Sequence, residues 1–333
     1  MEYADNDVSL MRRINLVFRF SYTIPFFMAS VCGSMFAFLF YDPPVHIVIL
    51  MPVVVLLLAV FVNFSNDYFD HRSGVDRMRF SEKEQMMKAV DTALLKKIYW
   101  EGNPFDDGHV SDKQGKIIMA LLLIISVVLA VPIIIHGGWI VIVFGAVGIF
   151  LSYYYTAPPL NFGARGLGEL DVAISFFMLV FCSFYVATVD FNISTFMFTG
   201  IFDLEIFVFA VIVGMLLGLM RLTDSMSGQE AHIANGEKSI SVRFGLDGGV
   251  KIAKTLIIAA YVISALMVYF NPLFILLLLT LPFTVKAWKI MDEKGEHWCL
   301  RVAPLFFGTA FITEMIFVII IVVISILGVG SLF

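Results

Sequence analysis

Long runs of apolar residues alternate with shorter polar connections along the whole chain. Nine runs have the roughly 17–25 residues that a helix needs to cross a bilayer. They begin near Phe20, His46, Ile117, Trp139, Val172, Ile206, Ile252, Pro272 and Pro304. The eighth run is short and contains Pro282, so it is the least regular of the set. The pattern predicts an all-α integral membrane protein, a bundle of nine transmembrane helices.

Composition supports the same class. Hydrophobic residues make up 60% of the 333 positions and charged residues 15%, and the mean hydropathy is +0.92. Soluble domains carry about 25% charged residues, so lipid is the expected solvent for most of this chain. Its cysteines, Cys32, Cys182 and Cys299, are far apart in sequence, which predicts neither a disulfide framework nor a zinc site. No nucleic-acid partner is expected.

The basic residues are sorted to one side of the predicted bundle. All 22 Lys and Arg residues fall in or next to the N-terminal tail and alternate connections, namely 66–116, 155–171, 221–251 and 286–303. Cytoplasmic connections carry this excess, so we expect the N-terminus in the cytoplasm and the C-terminus outside. The N-terminal tail is acidic and lacks a signal-peptide pattern, which predicts that it is retained.

The polar connections predict a cytoplasmic cap over a polar cavity, within a single domain that spans 1–333. The cap is formed by loops at about 66–116, 155–171 and 221–251. A short helix is predicted within 82–100, either as a solvated linker or as a lid over the site. The loops after the second and sixth runs are both long and rich in Asp, which suggests two similar halves that face one cavity.

The stretch "NDYFDHRSGVD" follows the second apolar run and contains the first residues along the chain that could form a functional site. If the helix continues, Asn63, Asp67 and Asp70 stand at i, i+4 and i+7 on one face, with Asn66 beside them. Gly74 would then end the helix. Oxygen ligands in this arrangement suit Mg²⁺, which is commonly held by one or two carboxylates, phosphates and water. The alternative is a polar helix end solvated by the cytoplasm.

Four segments together resemble the UbiA superfamily of intramembrane prenyltransferases. The first Asp stretch resembles the family's N-D-x-x-D motif, in the variant typical of the branch that prenylates dihydroxynaphthoate in menaquinone synthesis. The others are "NPFDDGHVSDKQ", "YYYTAPPLNFGARGLGEL" and "GEKSISVRFG", in the family's order and on the predicted cytoplasmic side. Asn103 stands where the family usually has Arg. The resemblance covers nearly the whole chain, and nine spans is also the family's number.

The second Asp motif departs from the family pattern D-x-x-x-D. Its two acidic positions hold Gly228 and His232. On a continuous helix these would share a face with Arg221 and Asp224, whereas a break at Gly228 would leave room for Glu230. His232 would either ligate a metal in its neutral form or contact diphosphate when protonated. The other reading is a degenerate second metal site in a non-catalytic protein that binds lipid or quinone.

The resemblance implies Mg²⁺-dependent transfer of a polyprenyl group from its diphosphate to an aromatic acceptor such as a naphthoate, within membrane lipid. The alternative acceptor is a glycerol phosphate lipid precursor. The metal candidates are Asn66, Asp67, Asp70, Asp224 and His232. The catalytic candidates are Asp67, Asp70, Arg72 and Lys238. The substrate-binding candidates are Arg19, Tyr155, Thr156, Arg165 and Arg221.

Three further acidic residues lie in or beside apolar runs. Glu169 and Asp171, at the start of the fifth run, match family positions and are interpreted as architectural. Glu314 lies within the last run, where a charged side chain is costly unless it has a function or a partner. We expect it to be paired inside the bundle.

Overall fold

The structure is a computed structural model that describes residues 17–76, 103–192, 197–199, 203–295 and 297–327. Ten α-helices are present in this part of the chain. They are α1 Phe20–Phe36, α2 Val45–Ser73, α3 Asp112–Gly137, α4 Trp139–Tyr154, α5 Gly168–Thr188, α6 Leu204–Ser227, α7 Gln229–Ala234, α8 Ile240–Met267, α9 Leu281–Glu293 and α10 Trp298–Leu327. The predicted helix within 82–100 lies outside the described residues.

The helices confirm the predicted membrane bundle. Eight helical segments are long and apolar enough to cross a bilayer, and α4, with 16 residues, is a shorter apolar helix that corresponds to the fourth predicted run. The eighth run forms a 3₁₀ helix, Pro272–Thr280, that leads directly into α9. Pro282 lies in the first turn of α9, where a missing backbone N–H costs no hydrogen bond. The protein is therefore an integral membrane protein, with nine apolar helical segments in the residues that the structure describes.

The helices extend further into the polar connections than hydropathy alone predicts. The segment 221–251, predicted as a loop, is largely helical, because α6 continues to Ser227, α7 follows, and α8 begins at Ile240. Similarly, α5 begins at Gly168 instead of Val172. Hydropathy marks the part of a helix that meets lipid, whereas backbone hydrogen bonding continues past that boundary.

One small element in the described chain is not helical. The strands β1 Asp190–Asn192 and β2 Met197–Thr199 form an antiparallel hairpin between α5 and α6, in which Asp190 pairs with Thr199. It lies in a connection and leaves the all-α class of the bundle unchanged.

The main core lies between α1, α5, α6, α8 and α10. At its centre the rings of Phe209 and Phe317 have centroids 4.4 Å apart, and Phe36 packs on both. Close approach of α1 and α5 depends on Gly33, since an added Cβ there would lie 2.1 Å from the Val180 carbonyl oxygen. Small residues at such crossings let membrane helices pack tightly.

Candidate active site

The acidic end of α2 is one unbroken helix. It runs to Ser73 and ends at Gly74, whose φ of 77° places it in the left-handed region and whose N–H donates to the Asp70 and His71 carbonyls. The predicted helix end is confirmed. Because the helix persists through this segment, Asn63, Asp67 and Asp70 share one face.

Arg19 meets that face from the residue before α1. Its NH1 lies 2.9 Å from Oδ1 of Asp67, and the two side chains are only 15% and 4% exposed. A buried pair of this kind is held by charge in a region that excludes most water. It places a fixed cation directly beside a candidate metal ligand.

Two consecutive residues after α4 connect the polar ends of α2 and α6. Thr156 donates from Oγ1 to Oδ1 of Asn66 at 2.9 Å. The neighbouring Tyr155 accepts from Nε of Arg221 at 2.5 Å through its hydroxyl. Arg221 in turn reaches Oδ2 of Asp224 at 3.2 Å. The first and second Asp segments are therefore linked through Tyr155 and Thr156 into one polar surface.

The second Asp segment has a different local structure. The helix breaks at Gly228, so α6 and α7 are separate and the continuous-helix alternative is wrong. His232 is 2% exposed, and its Nδ1 lies 2.5 Å from Oε2 of Glu237. Glu230 is exposed on α7. The break thus leaves Asp224 with Arg221, while His232 is held by a carboxylate of its own.

The predicted cationic residues divide into buried and exposed groups. Arg19 and Arg221 lie within the polar surface, with side chains 15% and 11% exposed. Arg72 is 56% exposed and pairs with Asp112 at 3.4 Å. Arg165 and Lys238 are also exposed. The two buried arginines are therefore the cations that the fold brings to the site directly.

Lys238 and Arg165 belong to segments that dock on one another through the backbone. The Lys238 N–H donates to the Ala164 carbonyl at 2.8 Å, and Arg165 donates to the Pro159 carbonyl at 2.8 Å. Gly166, with φ of 83°, lies so close that an added Cβ would be 2.1 Å from the Lys238 carbonyl oxygen. These contacts fix the segments of Arg165 and Lys238 against each other. Together with Arg72, these exposed residues form what we call the rim of the site.

Asn103 has a role that the sequence did not reveal. Its side-chain amide is 1% exposed and donates to the Asp67 carbonyl and to Oδ2 of Asp76, both at 2.8 Å. Its own Oδ1 accepts from the Phe105 N–H at 2.9 Å. Asn103, which stands where the family usually has Arg, is therefore buried, and its hydrogen bonds hold the loop after 103 against the end of α2.

The α2 segment offers a donor set that fits Mg²⁺. In the part of the chain described here, no group of three or more His, Cys, Asp or Glu residues lies close enough to hold a metal by itself. Within the same described residues, Nδ2 of Asn63 is buried without a hydrogen-bond partner. The side-chain nitrogen and oxygen of an asparagine can be exchanged without changing its shape. The oxygen of Asn63 can therefore occupy this unpaired position, on the helix face that carries the Asp67 and Asp70 carboxylates. Two carboxylates with amide oxygens suit Mg²⁺ when substrate phosphates complete the shell.

An apolar cavity of about 350 Å³ lies between α1, α2, α3, α4 and α5. Val62 of α2 and Ser152 of α4 are the lining residues that stand furthest along their helices. One helical turn further along each chain stand Asn66 and Thr156, which are hydrogen-bonded to each other. The polar surface formed by Arg19, Asn66, Asp67, Tyr155, Thr156, Arg221 and Asp224 therefore lies over one end of this apolar cavity. We call this surface the roof.

This geometry defines a class of protein: an intramembrane helical bundle with carboxylates and arginines above an apolar cavity. The profile of the UbiA prenyltransferase family matches residues 26–310, and the chain belongs to that family.

Two curated relatives carry naphthoate or naphthoquinone names. The chain is 28% identical over 128 residues to the 2-carboxy-1,4-naphthoquinone phytyltransferase of Synechocystis sp., which covers 38% of each protein. It is 22% identical over 242 residues to the 1,4-dihydroxy-2-naphthoate octaprenyltransferase of Bacillus subtilis, covering 71% of this chain and 67% of that protein. The matched part is thus well under half of the first relative's length.

Solved structures share the fold at low identity. A UbiA homolog from Archaeoglobus fulgidus bound to GPP and Mg²⁺ superimposes with a TM-score of 0.57 at 15% identity, covering 91% of this chain and 99% of that one. The apo UbiA homolog from Aeropyrum pernix K1 gives a TM-score of 0.57 at 14% identity, covering 88% and 98%. These likenesses establish the arrangement of the helices.

Proposed function

We propose that this protein transfers a polyprenyl group from its diphosphate to an aromatic, naphthoate-like acceptor within the membrane. The observation that carries the proposal is the polar roof over the apolar cavity of about 350 Å³. A prenyl diphosphate has the matching shape, with a strongly charged head and a hydrocarbon tail. The relatives named for naphthoate and naphthoquinone substrates support the choice of acceptor.

The head group would lie against the roof. Arg19 and Arg221 supply fixed positive charge, and the Tyr155 and Thr156 hydroxyls lie beside them. Pyrophosphate develops negative charge as it leaves, so cations and donors already in place stabilise that charge without reorganising. Arg72, Arg165 and Lys238 lie further out at the exposed rim, where they would attract the anion.

Asn66, Asp67 and Asp70 would hold Mg²⁺, with Asn63 as a further oxygen donor. When bound, the metal would neutralise the diphosphate and make it a better leaving group. Metal use is supported by a UbiA neighbour of the same fold that is bound to GPP and Mg²⁺. Asp224 is the candidate at the second segment. His232 stays a prediction there, because Glu237 holds it.

The cavity would shield the allylic cation that forms when the C–O bond of the diphosphate breaks. Water would capture such a cation, and a lining of aliphatic and aromatic side chains excludes it. Phe61 lies in this lining and stacks on Tyr153, with centroids 6.5 Å apart. The tail would extend away from the roof between α2, α3 and α4.

Orientation in the membrane follows from the basic residues. We propose that the roof faces the cytoplasm, with the N-terminus on that side and the C-terminus outside. Tyr269, which is 89% exposed between α8 and the 3₁₀ helix, would then face outward. In a variant without Cys32, Cys182 and Cys299, Tyr269→Cys should react with an impermeant reagent added outside. Labelling from the cytoplasmic side alone would overturn the orientation.

The test of the function is transfer by the purified protein in detergent. A labelled prenyl diphosphate is incubated with 1,4-dihydroxy-2-naphthoate or with a prenylated glycerol phosphate, with Mg²⁺ or with EDTA. We expect a prenylated naphthoate product that requires Mg²⁺. If product forms only from the glycerol phosphate, the assigned acceptor is wrong and the glycerol phosphate takes its place. If no pair of donor and acceptor gives product, the proposed function is wrong.

A further inference from the structure

Asp171, in the first turn of α5, is a buried carboxylate without a partner. The residue is 6% exposed, and its Oδ1 has no hydrogen-bond partner. Among the residues that the structure describes, no ion pair reaches this carboxylate either. The start of a helix offsets part of the cost of a buried negative charge, but an unsatisfied carboxylate in an apolar bundle remains expensive unless it has a function.

Its neighbour Glu169 shows what a structural carboxylate looks like at the same helix end. Oε1 of Glu169 accepts from Oγ of Ser225 at 3.2 Å and from the Ile240 N–H at 3.1 Å. Glu169 therefore ties α5 to α6 and α8, which agrees with the architectural interpretation. Asp171 makes no such tie, so the architectural interpretation does not extend to it.

A second unsatisfied group stands one turn along α5. Oγ of Ser175 is buried and has no hydrogen-bond partner within the described chain, and Ser175 lines the apolar cavity. Ser30 and Ser183, by contrast, are hydrogen-bonded to each other at 2.8 Å. Oγ of Ser34 on α1 is also buried without a partner in the described chain, but Ser34 does not line the cavity, so Ser175 is the one of these two serines that a ligand in the cavity could reach.

The position of Asp171 follows from the helical period. Ser175, Leu179 and Cys182 of α5 all line the cavity. Residue 171 lies on the same face, one turn closer to the polar roof. It stands one turn beyond Ser175, the lining residue nearest the start of α5, just as Asn66 stands one turn beyond Val62 on α2.

We propose that Asp171 and Ser175 form the acceptor subsite, in which the Asp171 carboxylate accepts a hydrogen bond from a ring hydroxyl of the aromatic acceptor. This inference rests on the proposed function and names the residues that recognise its second substrate. A prenyl tail has no group that can satisfy either side chain, and a diphosphate is repelled by a carboxylate. A flat aromatic with hydroxyl groups on its edge satisfies both while its ring lies against the apolar wall.

The hydrogen bond would fix which ring carbon faces the allylic carbon. The hydroxyl proton stays shared between the two oxygens, so no proton transfer is required of Asp171. A hydrogen bond to a charged acceptor is about twice as strong as a neutral one, and Asp171→Asn keeps the shape while removing the charge. We therefore expect the KM for the acceptor to rise about tenfold in this variant.

The experiment compares Asp171→Asn, Ser175→Ala and Glu314→Gln in transfer to 1,4-dihydroxy-2-naphthoate. Glu314 is the matched control, because it is a carboxylate of 1% exposure that also lacks a partner at Oε1 among the described residues, yet it lies on α10 outside the cavity lining. We expect Asp171→Asn to raise the acceptor KM, Ser175→Ala to raise it less, and Glu314→Gln to leave it unchanged. The KM for prenyl diphosphate and the Mg²⁺ requirement should stay at wild-type values in all three.

A second acceptor separates recognition from general damage. Replacing the ring hydroxyls by methoxy groups should weaken use of the acceptor by wild type and by Ser175→Ala, with little further loss in Asp171→Asn. An equal further loss in that variant, or an unchanged acceptor KM, would overturn the subsite. A raised Mg²⁺ requirement in Asp171→Asn would instead assign the carboxylate to the metal site and also overturn the proposal.

Direct binding of the acceptor without donor keeps the two hypotheses apart. If wild type binds 1,4-dihydroxy-2-naphthoate more tightly than Asp171→Asn but transfers no prenyl group, the proposed function fails and the subsite stands. If both proteins transfer and both bind the acceptor equally well, the function stands and the subsite fails.

Discussion

The two acidic segments of this protein begin alike and end differently. At the end of α2 the helix persists to Ser73, so its amides and carboxylates stay on one face against Arg19. At the end of α6 the helix stops at Ser227, and the short α7 begins beyond Gly228. Spacing therefore places side chains together only where the helix that carries them continues.

The break changes what each polar residue can contact. Asp224 stays at the end of α6, next to Arg221. His232 lies beyond the break and is held by Glu237 in a buried pair. The α2 segment thus offers the proposed metal ligands, whereas the α6 segment offers one carboxylate, one arginine and the separate pair of His232 and Glu237.

The largest effect is expected at α2. Asp67→Asn should lower turnover by about a thousandfold or more, because it removes the charge both of a proposed metal ligand and of the carboxylate that pairs with Arg19. Asp70→Asn should act in the same direction. The measurement is Mg²⁺-dependent transfer at saturating donor. Asp292→Asn on α9, where the carboxylate is 57% exposed and pairs with Lys254, is the control and should be unaffected. Normal turnover in either α2 variant would remove the metal assignment.

The next effect is on stability at α7. His232→Gln should lower the free energy of unfolding by about 3 kcal/mol, because it removes the imidazole whose hydrogen bond holds the buried Glu237 carboxylate. Thermal unfolding in detergent measures this, and Glu237→Gln should give a similar loss. The double variant should cost less than the sum of the two. A loss of turnover in His232→Gln with an unchanged melting temperature would show instead that His232 acts at the site.

A smaller effect is expected at α6. Asp224→Asn should lower turnover about tenfold to a hundredfold, since it removes one carboxylate and loosens Arg221. The control is Glu230→Gln, because Glu230 is exposed on α7 and its replacement should change turnover little. If Glu230→Gln were the damaging change and Asp224→Asn silent, the second segment would be organised around α7 and the assignment to Asp224 would be wrong.

Sequence predicted the α2 segment well and the α6 segment poorly, for one physical reason. Asn63, Asp67 and Asp70 have helical spacing, and the glycine that ends their helix comes after them. In the second segment Gly228 lies inside the pattern, and composition alone does not say whether a helix bends or breaks at such a residue. The spans were predictable because lipid requires long apolar helices.

Other parts of the site depend on contacts that no local pattern encodes. The Asn103 amide and the Tyr155 link to Arg221 each join segments far apart in the chain. The lack of a partner at Oδ1 of Asp171 in the described residues depends likewise on how α5 packs in the bundle. The expectation that Glu314 is paired within the bundle was not met at Oε1, which has no hydrogen-bond partner in the described residues. Burial of a polar residue is readable from hydropathy, but its partners are set by packing.

The smallest effect is expected at the rim. Arg72→Ala should change turnover by no more than about threefold, because the side chain is 56% exposed and its pair with Asp112 is screened by solvent. Arg19→Ala, at a side chain only 15% exposed, is the contrasting variant and should be much more damaging. Equal losses in the two variants would show that exposure does not separate the cations of the site from those of the rim.

The most direct test of the central claim is prenyl diphosphate binding at graded Mg²⁺ concentrations, measured by calorimetry without acceptor. Wild type, Asp67→Asn and Asp224→Asn are compared. We expect Asp67→Asn to lose the Mg²⁺-dependent part of binding, and Asp224→Asn to keep it with a modestly higher Mg²⁺ requirement. Mg²⁺-dependent binding that is unchanged in Asp67→Asn would contradict the assignment of the metal site to the end of α2.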